Sequence, residues 1–299
     1  MKKIILFFIP FSIIIASVEA QDVLSTEEMN NVYKKEKHHN KEVKKYSPLR
    51  QADVMWSRKI WREIDLRQKI NHPLYYPEND GSGVTIDDRK SLIDVIYTAI
   101  LEGSISAYDN AVMDDEFREP MTQENIKKIG GAKEEWVETT DWDKVAEGMT
   151  EEEATTSVLE TTPFNRNQVV KWRLKEEWFF DKQRSVMDVR IIGLAPMIEG
   201  KNDVTGQKNG TFAPLFWVYF PEAREVLINA EVFNLVKNDS ERRTYDDIFW
   251  KRMFGSTIVK EANVMDRSVN EFKIGLDALI EAERIKEEIF HIEHDLWEY

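Results

Sequence analysis

Residues 169–192, VVKWRLKEEWFFDKQRSVMDVRII, decide the fold class of this chain. In the last third of the stretch, Met187, Val189 and Ile191 alternate with an acidic and a basic residue. A two-residue period places apolar and charged side chains on opposite faces of an extended backbone. The stretch therefore predicts a strand that buries one of its faces.

Other stretches also predict strands. Residues 54–66 carry tryptophan, arginine and isoleucine at alternate positions, and both phases are mixed, which favours a long strand that is partly covered on both sides. Residues 215–220, LFWVYF, are almost wholly apolar and predict a buried central strand. Pro221 ends that strand and suits the first turn of a helix over 222–234. A short aromatic strand is predicted at 74–77, where a proline ends it.

Apolar residues at spacings of three and four predict helices elsewhere. Residues 92–100 form one such pattern, with Asp87 or Asp88 in place to cap the helix. A second helix opens at Thr244, ahead of two acidic residues. The last segment, 268–298, is predicted to be helical. Its apolar stripe consists of Phe272, Leu276, Leu279, Ile280, Ile285 and Ile289.

These elements indicate an α+β fold made of two mixed sheet-and-helix halves, 51–109 and 169–267. An acidic excursion, 110–168, joins the halves, and a C-terminal helix, 268–299, follows them. Residues 110–163 hold 15 acidic and 5 basic side chains, which is typical either of a mobile excursion or of an arm for a basic partner.

The two halves resemble each other in the order of their features. Each has a tryptophan-rich strand, then an aromatic run between prolines, then a helix; the runs are residues 73–77 and 214–221. An internal duplication is therefore one interpretation of the chain.

The N-terminal residues are set apart from the rest. Residues 1–20 begin with a lysine pair, continue with an apolar run and end in Val18-Glu19-Ala20, the pattern of a secretory signal peptide. The apolar run is about 13 residues long, shorter than the roughly 20 that a membrane-spanning helix needs. Residues 21–50 are a polar, basic arm that is a weak helix, a docking arm or a solvated tail.

Composition excludes several classes of protein. The 299 residues carry a net charge of −14, which argues against a general attraction to nucleic acid or anionic lipid. The chain contains no cysteine, so disulfides and thiolate chemistry are excluded. We expect an exported protein with no nucleic-acid partner and no direct insertion into the membrane.

Motifs for chemistry are scarce. The chain has no P-loop, dinucleotide-binding, nucleophile-elbow or zinc-protease motif. His291 and His294 could hold a metal ion with Glu287 or Glu288, although a solvated helix face explains the same residues. The pair His38-His39 belongs to the polar arm, where it is either a metal site or part of a solvated tail. We predict no catalytic, cofactor-binding or metal-binding residue and no cofactor.

Carboxylates are nevertheless abundant, and aromatic residues accompany them. A glycosidase needs two carboxylates across an aromatic cleft. A periplasmic carboxylate-based hydrolase that acts on glycans is therefore the alternative function.

Three clusters mix tryptophan and arginine with carboxylates, at residues 56–67, 172–190 and 241–252. Tryptophan and arginine dominate protein interfaces because each covers much area and still offers a polar group. The same residues also pack internally, with arginine on tryptophan. The candidate interface residues are Trp56, Arg58, Trp61, Arg62, Trp172, Trp178, Arg184, Arg242, Arg243 and Trp250.

Four blocks of the chain resemble a known family, the gliding-motility proteins GldN, called PorN in non-gliding relatives. The blocks are ADVMWSRKIWREIDLRQKINHPLYYP (52–77), EEWFFDKQRSVMDVRIIGLAP (176–196), PLFWVYFPEAR (214–224) and ERRTYDDIFWKRMFGSTIVKE (241–261). They are long and unusual in composition, and the predicted signal peptide agrees with the export of the family.

The resemblance implies a non-enzymatic subunit of the periplasmic ring of the type IX secretion system of Bacteroidetes. The implied partners are the ring lipoprotein of the GldK or PorK type, the periplasmic part of the motor protein of the GldM or PorM type, and further copies of the chain. The implied location is the periplasm, at the outer membrane, through the lipoprotein.

Overall fold

A computed structural model describes residues 41–78, 89–109, 115–140, 155–162, 164–201, 208–234, 238 and 241–296. The predicted signal peptide, most of the basic arm and the two aspartates at 87–88 lie outside these residues, as does residue 163. Side chains are described outside 133–161 and residue 201.

A seven-stranded antiparallel sheet organises the described part of the chain. Its strands are β1 (Val54–Asp65), β2 (Ala107–Asp109), β5 (Val169–Asp181), β6 (Val186–Lys201), β7 (Lys208–Pro214), β8 (Phe216–Tyr219) and β9 (Thr257–Glu261). The strand order is β2-β8-β6-β5-β1-β9. Strand β7 lies off this order and pairs with residues 197–201 of β6, which follow the residues of β6 that pair with β8. The strands predicted at 54–66, 185–192 and 215–220 are confirmed as β1, β6 and β8.

Two further strands, β3 (Lys133–Thr140) and β4 (Thr155–Thr162), form a second, two-stranded antiparallel sheet within the acidic segment. Residues 110–114 and 141–154 of that segment lie outside the described residues, so the predicted mobility of the segment stays a prediction.

The described residues contain seven α-helices. They are α1 (His72–Tyr75), α2 (Leu92–Leu101), α3 (Gln123–Lys127), α4 (Phe220–Leu227), α5 (Tyr245–Trp250), α6 (Val269–Phe272) and α7 (Leu276–Asp295). Together with the antiparallel sheet they make the fold α+β, as the sequence predicts. In the ranges that the structure covers, none of these helices combines the length and the apolar character that crossing a bilayer demands.

The sheet combines strands from both halves of the sequence. Strand β1 lies between β5 and β9, and its register with β5 runs from Val54 opposite Asp181 to Asp65 opposite Lys171. The predicted internal duplication is not confirmed, because residues 72–75 form a helix whereas the matching residues 216–219 form a strand.

The strand predicted at 74–77 is wrong for the same reason. Pro73 occupies the first turn of α1, where its missing N–H costs no helical hydrogen bond. The preceding turn is fixed by buried Asn71, whose side-chain amide donates to the carbonyls of Asp65 and Gly255 and accepts from the N–H of Gly255. A long-range contact therefore decides the local conformation.

Capping residues set the starts of the helices. Ser91, not the predicted aspartates, caps α2: its hydroxyl accepts from the N–H of Asp94. Thr244 and Asp247 form a capping box on α5. Pro221 lies in the first turn of α4 as predicted, although α4 ends at Leu227, short of the predicted 234.

Most buried side chains form one large core in which α2, α4 and α5 pack with β5, β6 and β8. Its largest fully buried members are Trp172, Tyr245, Phe216, Phe220 and Phe249. A second cluster joins α7 to Ile60 of β1 and Ile258 of β9. A third, small cluster contains Trp61, Ala195 and Trp217.

Candidate interaction surfaces

The cluster predicted on β1 is engaged inside the molecule. Trp56 packs against the cluster beneath α7. Arg58 lies 5.7 Å from the Trp56 ring and binds Glu261 of β9 at 3.1 Å and Glu288 of α7 at 3.3 Å. This guanidinium therefore clamps the C-terminal helix to the edge of the sheet.

Trp61 and Arg62 are also held by internal partners. Trp61 is 7% exposed, and its indole N–H donates to Asp115, which also pairs with the buried Lys175 ammonium at 3.0 Å. Arg62 donates from Nε to the hydroxyl of Ser256 at 2.8 Å, and burial lowers the pKa of its guanidinium. Both side chains hold neighbouring segments in place.

The residues of the second predicted cluster lie in two places, the core and the turn between β5 and β6. Trp172 is fully buried. The indole of Trp178 donates to buried Glu176 at 3.2 Å, and Arg252 both pairs with Glu176 at 2.9 Å and lies over the Trp178 ring. Arg184, by contrast, is 40% exposed, at the turn between β5 and β6.

Hydrogen bonds at that turn fix Arg184 in place. It pairs with Asp181 at 2.7 Å and with Asp188 at 3.1 Å. The hydrogen bond from Arg184 lowers the pKa of the Asp181 carboxyl below its usual range. The exposed guanidinium is therefore presented in a defined position.

The third predicted cluster lies beside the described end of the basic arm. Tyr46 stacks on Trp250 at 5.2 Å, and the guanidiniums of Arg190 and Arg224 lie 4.9 Å and 4.8 Å from the Tyr46 ring. Arg224 also makes a buried two-point contact with Asp246, at 2.7 and 3.1 Å. The residues 41–50 thus dock on the body, and Trp250 keeps about a third of its surface exposed.

The remaining two candidates, Arg242 and Arg243, are partly exposed. Arg243 pairs with Glu241, and Arg242 lies 3.8 Å from Glu231. The structure therefore does not bring the ten predicted residues together into one surface. Six of them have buried or internal partners, and four keep part of their surface exposed: Arg184, Arg242, Arg243 and Trp250.

Buried carboxylates beside arginine have structural partners. Asp94 accepts from the hydroxyl of Ser91 and from Arg166, each at 2.6 Å, while Glu176 and Asp246 bind Arg252 and Arg224 as described. Within the described ranges, no group of three or more histidine, aspartate and glutamate side chains is placed to bind a metal ion.

The sequence analysis missed a surface at the C-terminal end. The single helix predicted over 268–298 is in fact two helices, α6 and α7. Of the predicted apolar stripe, Phe272 lies in α6, and the other five residues divide between two sides of α7. Ala278, Ala282, Ile285 and Ile289 pack against the sheet, whereas Leu276, Leu279, Ile280 and Phe290 are 56–71% exposed. A helical rotation of about 100° per residue places these two sets on different sides. A helical wheel separates the two sets of residues, but only the tertiary structure shows which set faces the sheet.

Exposed apolar residues continue into the segment before α7. We call the C-terminal apolar surface the set Val264, Met265, Phe272, Ile274, Leu276, Leu279, Ile280 and Phe290. Asn263 orders the loop that carries the first two, because its side chain donates to the carbonyl of Arg267 and accepts from the N–H groups of Met265 and Arg267. Val264, Met265 and Phe272 line one pocket, whereas Leu276, Leu279, Ile280 and Phe290 share one side of α7. Concentrations of exposed apolar residues mark interaction sites on soluble proteins.

Comparison with known proteins gives the family. No curated protein matches the chain. The family model described as "Gliding motility associated protein GldN" matches residues 49–298, which is most of the chain and includes every strand and helix described above. The chain therefore belongs to the GldN family and is a component of the gliding-motility and type IX secretion machinery.

Proposed function

We propose that the mature chain is a non-enzymatic structural subunit of a periplasmic ring in the type IX secretion machinery. The family supports a role in that machinery and is not a known enzyme family. The observation that carries the structural role is the C-terminal apolar surface, because residues 264–290 hold eight of the 17 large apolar side chains that are exposed in the described part of the chain.

The proposed partners are an outer-membrane lipoprotein of the GldK or PorK type, a motor protein of the GldM or PorM type, and further copies of the chain. The predicted signal peptide supports a location in the periplasm, with attachment to the outer membrane through the lipoprotein. Growth of a ring requires two different patches on each copy. The C-terminal apolar surface supplies one, and the exposed Trp250 and Arg184 are candidates for another.

The test compares assembly of two matched variants in cells. The double variant Leu279→Ser with Ile280→Ser removes exposed apolar surface from α7, and Met55→Ser removes an equally exposed apolar side chain from β1. Each tagged chain is isolated from membranes, and its assembly is sized by sedimentation and electron microscopy.

We expect the wild-type chain and Met55→Ser to co-purify in a large ring and the double variant to be released as a small species. A wild-type chain that sediments alone would contradict the structural role. Turnover of a glycan that depended on one pair of carboxylates would favour the hydrolase instead.

A further inference from the structure

The exposed side of α7 has an ordered pattern of chemistry. Leu276, Leu279 and Ile280 lie at one end, Phe290 lies near the other, and Glu283 and Glu287 come between them on the same side. From Leu276 to Phe290 the stripe is about 21 Å long, at 1.5 Å per residue. It is a linear surface with apolar ends and an acidic centre.

The acidic centre is available to a partner. Helix α7 carries seven acidic and two basic residues. Among the described residues, Glu287 has no ion-pair partner, and Glu283 pairs with Lys286 at 2.8 Å, with both side chains about 60% exposed, while its charge also acts on the guanidinium of Arg62. Exposed pairs of this type within a helix contribute little and are readily replaced.

This pattern disfavours two other occupants. Pairing with a second copy of α7 in antiparallel orientation about the centre of the stripe would match Phe290 with Leu276 but would place Glu283 against its own equivalent, and directly opposed like charges are destabilising. An anionic lipid surface would repel the same carboxylates. A basic group opposite Glu283 and Glu287 would instead gain attraction while the apolar ends are buried.

We propose that the exposed stripe of α7 binds a segment of another protein in which apolar residues flank a lysine- or arginine-rich centre. This inference rests on the proposed function, because it gives the chemistry of the partner that the C-terminal apolar surface would meet in the assembly. Apolar burial supplies affinity, and the central charges select the partner and fix its register.

Two synthetic helical peptides test the charge pattern directly. Both carry leucine and phenylalanine spaced to match the two ends of the stripe; one has lysines at its centre and the other has glutamates. Binding of each labelled peptide to the full mature chain is followed by fluorescence anisotropy. We expect the lysine peptide to bind and the glutamate peptide to bind at least about tenfold more weakly.

Variants of the chain make the test specific. The double change Glu283→Lys with Glu287→Lys should invert the preference between the peptides, whereas Asp277→Lys, about 100° away around the helix, should preserve it. Leu279→Ser should weaken both peptides. Circular dichroism and an unchanged unfolding midpoint confirm that each variant is folded.

Three results would overturn the inference: no binding of the lysine peptide, equal binding of both peptides, or an unchanged preference in the double lysine variant. These results are distinct from failure of the proposed function. If the chain selects the lysine peptide as described but never enters a large complex in cells, the inference about α7 is supported and the proposed ring role is contradicted.

Discussion

Two isoleucines of α7, one on each side of the helix, should separate folding from assembly. Ile285 is 1% exposed and packs with Ile60, Ile258 and Ile289, whereas Ile280 is 58% exposed. The perturbation is the same in both cases, Ile→Ala. The side of the helix on which the residue lies is therefore the main variable.

The magnitudes follow from burial. Removing three buried carbons at Ile285 costs about 2.4 kcal/mol at about 0.8 kcal/mol per carbon, and the cavity raises this to about 3 kcal/mol. For Ile280, two fifths of the side chain is buried, so the transfer cost is about 1 kcal/mol. Alanine has the higher helix propensity at both positions, by roughly 0.4 kcal/mol, which leaves net losses of about 2.6 kcal/mol at Ile285 and about 0.6 kcal/mol at Ile280.

Urea unfolding measures the two losses. The tryptophan fluorescence of the chain reports on unfolding, and two of its nine indoles, Trp56 and Trp178, pack against the same cluster as Ile285. We expect a clearly lower unfolding midpoint for Ile285→Ala and a nearly unchanged midpoint for Ile280→Ala. If α7 undocks before the rest of the chain unfolds, the loss at Ile285 will appear as increased hydrogen exchange over α7 and β9.

Assembly should respond in the opposite order. Ile280→Ala should weaken co-purification of the secretion complex, and Ile285→Ala should retain it at temperatures where the variant stays folded. Equal losses of stability for the two variants, or weaker assembly for Ile285→Ala than for Ile280→Ala at full folding, would refute this assignment of the two sides of α7.

Four further outcomes are expected. Trp61→Ala should lower stability by about 3 kcal/mol because it leaves a cavity at a buried site. An unchanged urea midpoint would show that Trp61 is not buried and would restore it as a candidate interface residue. Asp246→Asn should cost about 3 kcal/mol, measured in the same way, because it leaves a buried guanidinium without its charged partner. Tyr46→Ala should release the arm, so limited proteolysis at residues 41–50 should become faster while the midpoint changes little; equal rates would show that the tyrosine does not hold the arm. Asp181 has a lowered pKa when folded, so its contribution is present above the usual carboxyl pKa near 4 and is lost as the pH falls through the lowered value; Asp181→Asn should flatten that part of the stability–pH profile.

The main strands could be predicted because their patterns are local. Alternation in 54–66 and 185–192 and the apolar run at 215–220 each specify an extended backbone with a preferred buried side. Pro221 and Thr244 likewise mark helix starts through their own backbone and side-chain chemistry. The α+β class and the family resemblance follow from these stretches alone.

Residues with two compatible roles could not be assigned from the sequence. An indole or a guanidinium serves equally well in a core and at an interface, so Trp61 and Trp172 were predicted as interface residues although the sheet buries them. Their position depends on β1 lying between β5 and β9, a pairing across more than a hundred residues. The spacing of apolar residues within one strand does not indicate which distant strand it pairs with.

The sequence by itself determined the extended stretches at 54–66, 185–192 and 215–220, the helix starts at Pro221 and Thr244, the export signal pattern, and the family that the chain resembles. Only the tertiary structure decided which side of each element is covered. The short helix at 72–75 depends on Asn71 bridging to Gly255, and the exposed stripe of α7 exists because Ile285 and Ile289 take the sheet-facing side. Burial is a property of contacts between distant segments, whereas strand and helix periods are properties of neighbouring residues.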